Sequence, residues 1–287
     1  MTPTRPKSAR LATLLLILPG AGFIALFLGI ALGMTLLQSV GLLSFVRPSG
    51  FTWEFWASLA DRQFLDSFLF SLRVGFGSAF LTLVFAYPLA LYLRRRAAGA
   101  WVLAAILKVP LFVPALVAAF LILNAMAFHG VLNGVLLWLG LIEKPVRMLN
   151  DKFGWGVLAI QVWKNLPFQL VIITSVLATI RSDLEDAARN LGASWWRVIW
   201  HVILPLSIPG LLIAVALVFI MTFGDFAITK IAGPVYPSSL SVLMHTAAFT
   251  LSEWNKAACI GVVIIVASLL FVALYARMAR LLQGAQP

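Results

Sequence analysis

RSDLEDAARNLGASWWRVIWHVILP, residues 181–205, is the one sizeable charged segment in the second half of a chain that is otherwise mostly apolar. It reads as a helix, a turn and a second helix lying outside a membrane. Ser182 followed by Glu185 fits a capping box, and Leu184, Ala187, Ala188 and Leu191 fall on one face at the spacing i, i+3, i+4, i+7. Gly192, lacking a Cβ, can take the left-handed conformation that stops a helix. Residues 195–203 then start a second short helix, which Leu204-Pro205 ends, because the residue before a proline is pushed out of the helical region. The first helix therefore offers a small, flat apolar face. Ala187 and Ala188 let another backbone come close, while Glu185, Asp186 and Arg189 rim the contact and Glu185 can pair with Arg189 one turn on.

Around this segment the composition is that of a membrane protein. The chain has 287 residues, 62% hydrophobic and only 11% charged, against roughly 25% charged in soluble domains. Its net charge of +11 would suit nucleic acid, but the basic residues follow the positive-inside rule instead, so no nucleic-acid partner is expected. Cys259 is the only cysteine, which excludes an internal disulfide or a cysteine metal cluster. There is no G-x-x-x-x-G-K-[ST] phosphate loop and no room for a soluble domain between the apolar runs. If ATP drives this protein, another polypeptide must bind it.

Taken in order, the chain reads as a single all-α membrane domain of six transmembrane helices. Residues 11–37 follow Arg5, Lys7 and Arg10 and are too long for a signal peptide, so they form a retained first helix that starts in the cytosol. A mixed outer loop with Trp53 and Trp56 leads to a second helix, 67–93, closed by Arg94-Arg95-Arg96. The third, 101–123, carries Lys108, Pro110 and Pro114; after it, 128–149 is a short re-entrant or interfacial piece. The fourth, 153–180, delivers the chain to the charged segment, the fifth, 207–226, runs into GDFAITKIAGPVYPSSL, and the sixth, 257–275, is followed by Arg277 and Arg280. This layout gathers eleven basic residues on one side (Arg5, Lys7, Arg10, Arg94, Arg95, Arg96, Arg181, Arg189, Arg197, Arg277, Arg280) against three acids (Asp183, Glu185, Asp186). That imbalance puts both termini in the cytosol.

Ionisable residues at membrane depth are costly and default to function. Lys164-Asn165 stands midway along the fourth helix, just before Pro167, which frees a backbone carbonyl. Together they line a polar path, or Lys164 pairs with an acid of a neighbouring helix for assembly. Lys108 is close enough to the cytosolic end to snorkel. Asp225 suits a cationic solute at the mouth of a path; a salt bridge to Lys230 or Lys164 is the alternative. His129, His201 and His245 are scattered, and neither a metal site nor a catalytic constellation is visible, so catalysis by this chain is not expected.

Three stretches resemble the permease subunits of binding-protein-dependent ABC importers. The cytosolic loop of that family has E-A-A, three residues, G, nine residues, I, one residue, L-P; here Asp186-Ala187-Ala188, Gly192, Val202 and Leu204-Pro205 stand at those spacings, with Asp for Glu and Val for Ile. Residues 130–142 are similar to the G-x-L-N-x-x-L-x-x-L-G-L-I stretch of polyamine-type permeases, and Gly224-Asp225-Phe226 to their GDF stretch, which some iron, thiamine or phosphonate permeases share. The resemblance implies that residues 181–205 are the coupling loop, its first helix seated in a cleft of an ATPase subunit. It implies a bacterial inner-membrane complex with two ATPase subunits, which hold the ATP and Mg while this chain holds no cofactor. A second permease, a copy or a paralogue, and an extracytoplasmic solute-binding protein complete it. The solute implied is a polyamine, with phosphonate, thiamine, iron or opine as alternatives. Asp186 is one methylene shorter than the family's glutamate, and Glu185 beside it can stand in. A secondary transporter or channel without an ATPase is the competing class.

Overall fold

The computed structural model describes residues 7–46, 48–95 and 99–284, and among these every regular element is helical. The helices are α1 (Lys7–Ser39), α2 (Glu54–Ala57), α3 (Arg62–Arg94), α4 (Ala100–Lys108), α5 (Ala115–Met126), α6 (Val131–Trp138) and α7 (Trp155–Thr179). Then come α8 (Ser182–Asn190), α9 (Trp195–Val198), α10 (Leu204–Phe223), α11 (Ala227–Ala232), α12 (Leu240–His245) and α13 (Trp254–Gly284). Six stretches are long and apolar enough to cross a bilayer: Leu16–Ser39, Arg62–Arg94, Ala115–Trp138, Trp155–Ala178, Trp195–Phe223 and Trp254–Leu281. Arg5 and Arg96, counted above for orientation, lie outside the described residues.

Two of the spans differ from expectation, and proline is the cause in both. The third helix is broken. Pro110 and Pro114 remove two backbone donors, Val113 is extended at φ −90° and ψ 118°, and the chain passes from α4 through a 3₁₀ turn, Val109–Phe112, before α5 begins. The span therefore runs later than residues 101–123. By length and hydropathy it takes in α6, yet α6 is a separate short helix set off from α5 by a turn at 127–130, where Ala127 is extended at ψ 159°. Leu204-Pro205, in contrast, ends nothing: α9 continues through a π-helical stretch, Ile199–Ile203, into α10 without a break. Pro205 falls in the first turn of α10, where its fixed φ suits the helix and the preceding wide turn absorbs the missing donor.

The chain forms two compact units, Met1–Ala60 with Met244–Val263, and Asp61–Leu243 with Ile264–Pro287. In the first, the Asn255 amide donates to the carbonyls of Gln38 at 2.7 Å and Leu43 at 3.0 Å, and Cys259 donates to Ser39 O at 3.2 Å, tying the end of α1 to the start of α13. The second unit is built on α3, α7 and α10. Gly210 explains how closely α10 meets α7: a Cβ there would sit 2.4 Å from Val176 Cγ2, so only glycine fits. One apolar cluster joins Ala90, Ile173, Leu177, Val198 and Ile203 near the charged segment; another joins Phe70, Ala119, Ile160 and Ile228 towards the opposite end.

Candidate functional site

The charged segment is a helix–turn–helix, as its sequence requires. Gly192 has φ +82°, its N–H bonds Arg189 O at 2.8 Å and the next N–H, of Ala193, bonds Ala188 O at 3.0 Å. These are the two bonds of a Schellman stop, and they need a left-handed residue between them. A Cβ on Gly192 would meet nothing within 4 Å, so the constraint is purely one of backbone conformation. Beyond the turn, Val198, Ile199 and Ile203 are buried and anchor the second helix in the core.

The first turn of α8 is held differently from expectation. Arg181, not Ser182, precedes the helix, and no side chain caps it. Glu185 forms neither a capping box nor a pair with Arg189. Its carboxylate instead accepts from Arg94 at the end of α3, with Nε at 2.8 Å and Nη2 at 2.6 Å, the two side chains being only 16% and 12% exposed. The same guanidinium donates through Nη2 to Ile180 O at 2.8 Å and through Nη1 to Leu177 O, closing the carbonyl end of α7. One arginine thus binds α3, α7 and α8 together. A cation at a helix C-terminus also suits the helix dipole.

Apart from this latch much of α8 is bare. Leu184 is 45% and Leu191 90% exposed, Ala187 and Asp186 are exposed as well, and Ala188 is half-buried against the core. Asp186 makes no ion pair or hydrogen bond among the described residues. Arg189 stands over the Trp195 ring, 5.5 Å from its centroid. Leu204 and Pro205 lie in the continuous helix beyond, Leu204 packing against the same apolar cluster.

Lys164, Asn165 and Asp225, read as path residues, do not share one environment. The Lys164 amine reaches sideways to the broken third helix, donating to Pro110 O at 2.7 Å and to Val113 O. Val113 O, which Pro114 leaves without a helical partner, is thereby satisfied, and Pro110 O, which already accepts the Val113 N–H at 3.3 Å, gains a second donor. Asn165 faces the other way, into the α7/α10 contact, where its amide donates to Gln161 O at 2.9 Å and to Thr222 Oγ1 at 3.4 Å. Asp225 lies three residues beyond Thr222 and caps α11: its Oδ2 accepts from the backbone N–H of Ile228 at 2.9 Å and Thr229 at 3.3 Å. Among the described residues it makes no ion pair with Lys230 or Lys164. Its backbone carbonyl takes hydroxyls from Thr229 at 2.7 Å and Ser241 at 2.6 Å, so a polar knot joins α10, α11 and α12.

Two features escaped the sequence reading. In the sequence Arg94 stands out only as part of the basic run that closes the second span; its partner Glu185 is 91 residues away, and no local pattern announces the pair. The other is a stripe of buried amides on α7, Gln161, Asn165 and Gln169, 3%, 4% and 0% exposed. Their i, i+4, i+8 spacing on an apolar helix was visible. Gln169 is enclosed with neither amide atom bonded among the described residues, an arrangement that costs about 1–3 kcal/mol unless something else pairs with it.

Six candidate spans, the third helix broken at its prolines, and a short helix with a left-handed turn between the fourth and fifth spans define a polytopic membrane protein. Residues 79–284 match the binding-protein-dependent transport system inner membrane component family, and the chain belongs to it. It is 27% identical over 240 residues to the spermidine/putrescine transport system permease protein PotB of Salmonella typhimurium (strain SL1344), which covers 83% of each chain. To the molybdenum transport system permease protein ModB of Escherichia coli (strain K12) it is 31% identical over 188 residues, 62% of this chain and 74% of that one. Its fold matches, with a TM-score of 0.75 and 18% identity over 95% of both chains, a chain of a bacterial alginate ABC transporter solved in complex with an alginate pentasaccharide-bound periplasmic protein. The resemblance drawn from the Asp186-Ala187-Ala188 and Gly224-Asp225-Phe226 stretches is thus borne out at the level of the family. The protein is an inner-membrane permease component of a bacterial ABC importer.

Proposed function

We propose that this permease imports a small cationic solute, a polyamine or similar amine, and that α8 is its coupling helix, docked in an ATPase subunit. Both termini and the 181–205 loop then face the cytosol. The complex comprises two ATPase subunits that bind ATP and Mg, a second permease, identical or paralogous, and an extracytoplasmic solute-binding protein. One observation carries the coupling role. A helix with bare apolar residues, Leu184 and Leu191, is latched through the neighbouring Glu185 and Arg94 to the ends of two spans. A push on that face moves α3 and α7 with it. ATP-driven closure of the ATPase subunits would draw the coupling helices together and open the path outward, and hydrolysis would reset it.

The polyamine reading rests on PotB, whose name states its solute, and on the chemistry of the path. Lys164 has its charge turned into the Pro110 and Val113 carbonyls, so it offers no free cation to an anion. Asp225 keeps a carboxylate at the end of α10 with the Gln161 amide beside it. The 31% identity to ModB favours a second reading, import of an oxyanion. Purifying the chain from its native membranes, identifying the subunits that accompany it and measuring ATP hydrolysis in vesicles decides both points. An ATPase subunit and a binding protein should co-purify, and hydrolysis should rise with loaded binding protein on addition of spermidine or putrescine. Stimulation by molybdate alone would replace the polyamine reading, and a chain that transports without any ATPase would remove the coupling role.

A further inference from the structure

The latch forms one wall of a cleft of about 1320 Å³ between the ends of α3 and α7 and the inner side of α8, and four arginines line it, Arg94, Arg95, Arg181 and Arg189, against the single carboxylate of Glu185. Arg94 takes that carboxylate at 2.6 Å, and Arg181 pairs with Asp183 at 2.6 Å. Arg95 and Arg189 have no acidic partner among the described residues, yet both guanidiniums stand over the same Trp195 ring, 3.6 and 5.5 Å from its centroid. With two cations at one ring and neither paired to an acid, an anion that reaches both is attracted by each.

Arg95 and Trp195 are shared with a second, smaller groove of about 410 Å³ whose remaining walls are apolar or aromatic, among them Tyr87 and Leu91 on one side and Trp196 and Trp200 on the other. Tyr87 and Leu91 lie in the last two turns of the span Arg62–Arg94, and Trp196 and Trp200 in the first two of Trp195–Phe223. The groove therefore sits where two spans leave the bilayer, the depth at which Trp and Tyr rings and lipid headgroups meet. Trp196 and Trp200 are 69% and 62% exposed, so within this chain the groove is uncovered.

We propose that cleft and groove together form a site for one anionic phospholipid, its phosphate between Arg95 and Arg189 and an acyl chain along the groove from Trp195 to Trp200. Free phosphate would use the cations but leave the adjoining apolar groove empty. An acidic segment of a soluble partner would have to enter at the level of the hydrocarbon boundary. A lipid satisfies both halves at once, since basic pockets beside spans attract anionic headgroups. Because Arg95 closes α3 and Arg189 belongs to α8, the bound headgroup braces the helix–turn–helix against the span. The site does not depend on which solute is carried.

The full chain purified in detergent tests this by native mass spectrometry, with phosphatidylglycerol and phosphatidylcholine of identical acyl chains as probes and glycerol phosphate as soluble competitor. One phosphatidylglycerol per chain should be retained with about tenfold preference over phosphatidylcholine. The double variant Arg95→Gln, Arg189→Gln should lose that preference, Arg277→Gln at another span end should keep it, and Trp200→Ala should weaken the lipid while leaving glycerol phosphate unaffected. Equal retention of the two lipids, or an unchanged double variant, overturns the proposal. So does glycerol phosphate binding as tightly as the lipid, which would leave an anion pocket only. Should the double variant not fold, hydrogen exchange on the unaltered chain decides: phosphatidylglycerol must slow exchange at residues 85–95 and 182–200, and slowing confined to other segments sinks the site.

Discussion

Arg94 and Lys164 solve the same problem at two places on the fourth span. Each is a cation donating to backbone carbonyls where a helix ends or breaks, Leu177 and Ile180 at the end of α7 for Arg94, Pro110 and Val113 at the break before α5 for Lys164. Only Arg94 has a carboxylate as well. The difference shows how a membrane protein grades its charges. Where the chain emerges from the bilayer an arginine can clamp three helices through a fixed fork of donors and a buried ion pair. Within a span, a flexible ammonium on carbonyl dipoles closes a proline break without requiring an acid to be buried opposite it.

Removing each charge separates the two arrangements, and Arg94 should show the largest effect. Arg94→Leu strips Glu185 of its partner in a site where both side chains are mostly covered, at a cost of about 3–5 kcal/mol. The thermal midpoint in detergent should fall sharply and hydrogen exchange in α8 should accelerate. A variant with normal exchange there would show that α8 is not latched by this pair.

Gly192→Val tests the turn on which the latch depends. At φ +82° a β-branched residue costs about 1–3 kcal/mol, and as a Cβ meets nothing within 4 Å the penalty is strain alone. Gly192→Asn, which tolerates the left-handed region, should recover most of it. Equal loss of stability in both variants would contradict a backbone cause.

Lys164→Met should be milder than Arg94→Leu, because it leaves the Val113 carbonyl short of a donor but no carboxylate stranded, about 1–2 kcal/mol. Assembly of the complex should survive. If Lys164→Met lowered the yield as severely as Arg94→Leu, an unseen acidic partner would have to be sought and the contrast between the two cations would collapse.

Asp225→Asn keeps an acceptor for the N–H groups of Ile228 and Thr229 and should cost only about 0.5 kcal/mol of stability. Uptake of a cationic solute should fall by much more than that figure allows, and an uptake loss no larger than the stability loss would reduce Asp225 to a helix cap. Asp186→Glu, on the exposed side of α8, should change stability by less than about 0.5 kcal/mol and leave transport intact. A marked defect would mean that the docking cleft is fitted to the shorter acid.

The two cations also mark where sequence reading stops. Six apolar runs, the stop at Gly192 and the helical segments either side of it are legible because they depend on composition and on residues within a few positions of one another. The helix pattern offers Glu185 only local partners, Ser182 and Arg189, since i+3 and i+4 neighbours are all that such a pattern displays; its actual partner comes from another span. Proline was legible as a breaker but not in its effect. Pro110 and Pro114 do break the third helix, whereas Leu204-Pro205 sits inside a continuous one because the preceding five residues take up a π-helical turn.

The sequence by itself determined that this is a multi-span membrane protein with a short charged helix and a glycine turn between its fourth and fifth spans, through hydrophobic run length and one glycine that must be left-handed; the permease family entered through the spacing of Asp186-Ala187-Ala188, Gly192 and Leu204-Pro205. Only the tertiary structure decided what each charge is for. Glu185 turns inward to Arg94, Lys164 serves the Pro110 and Val113 carbonyls, Asp225 caps α11, and Asn165 joins α7 to α10. The physical reason is that a polar group in an apolar surrounding must find whichever partner packing brings within about 3 Å, and which helix ends meet is settled by the packing of α3, α7 and α10 as a whole.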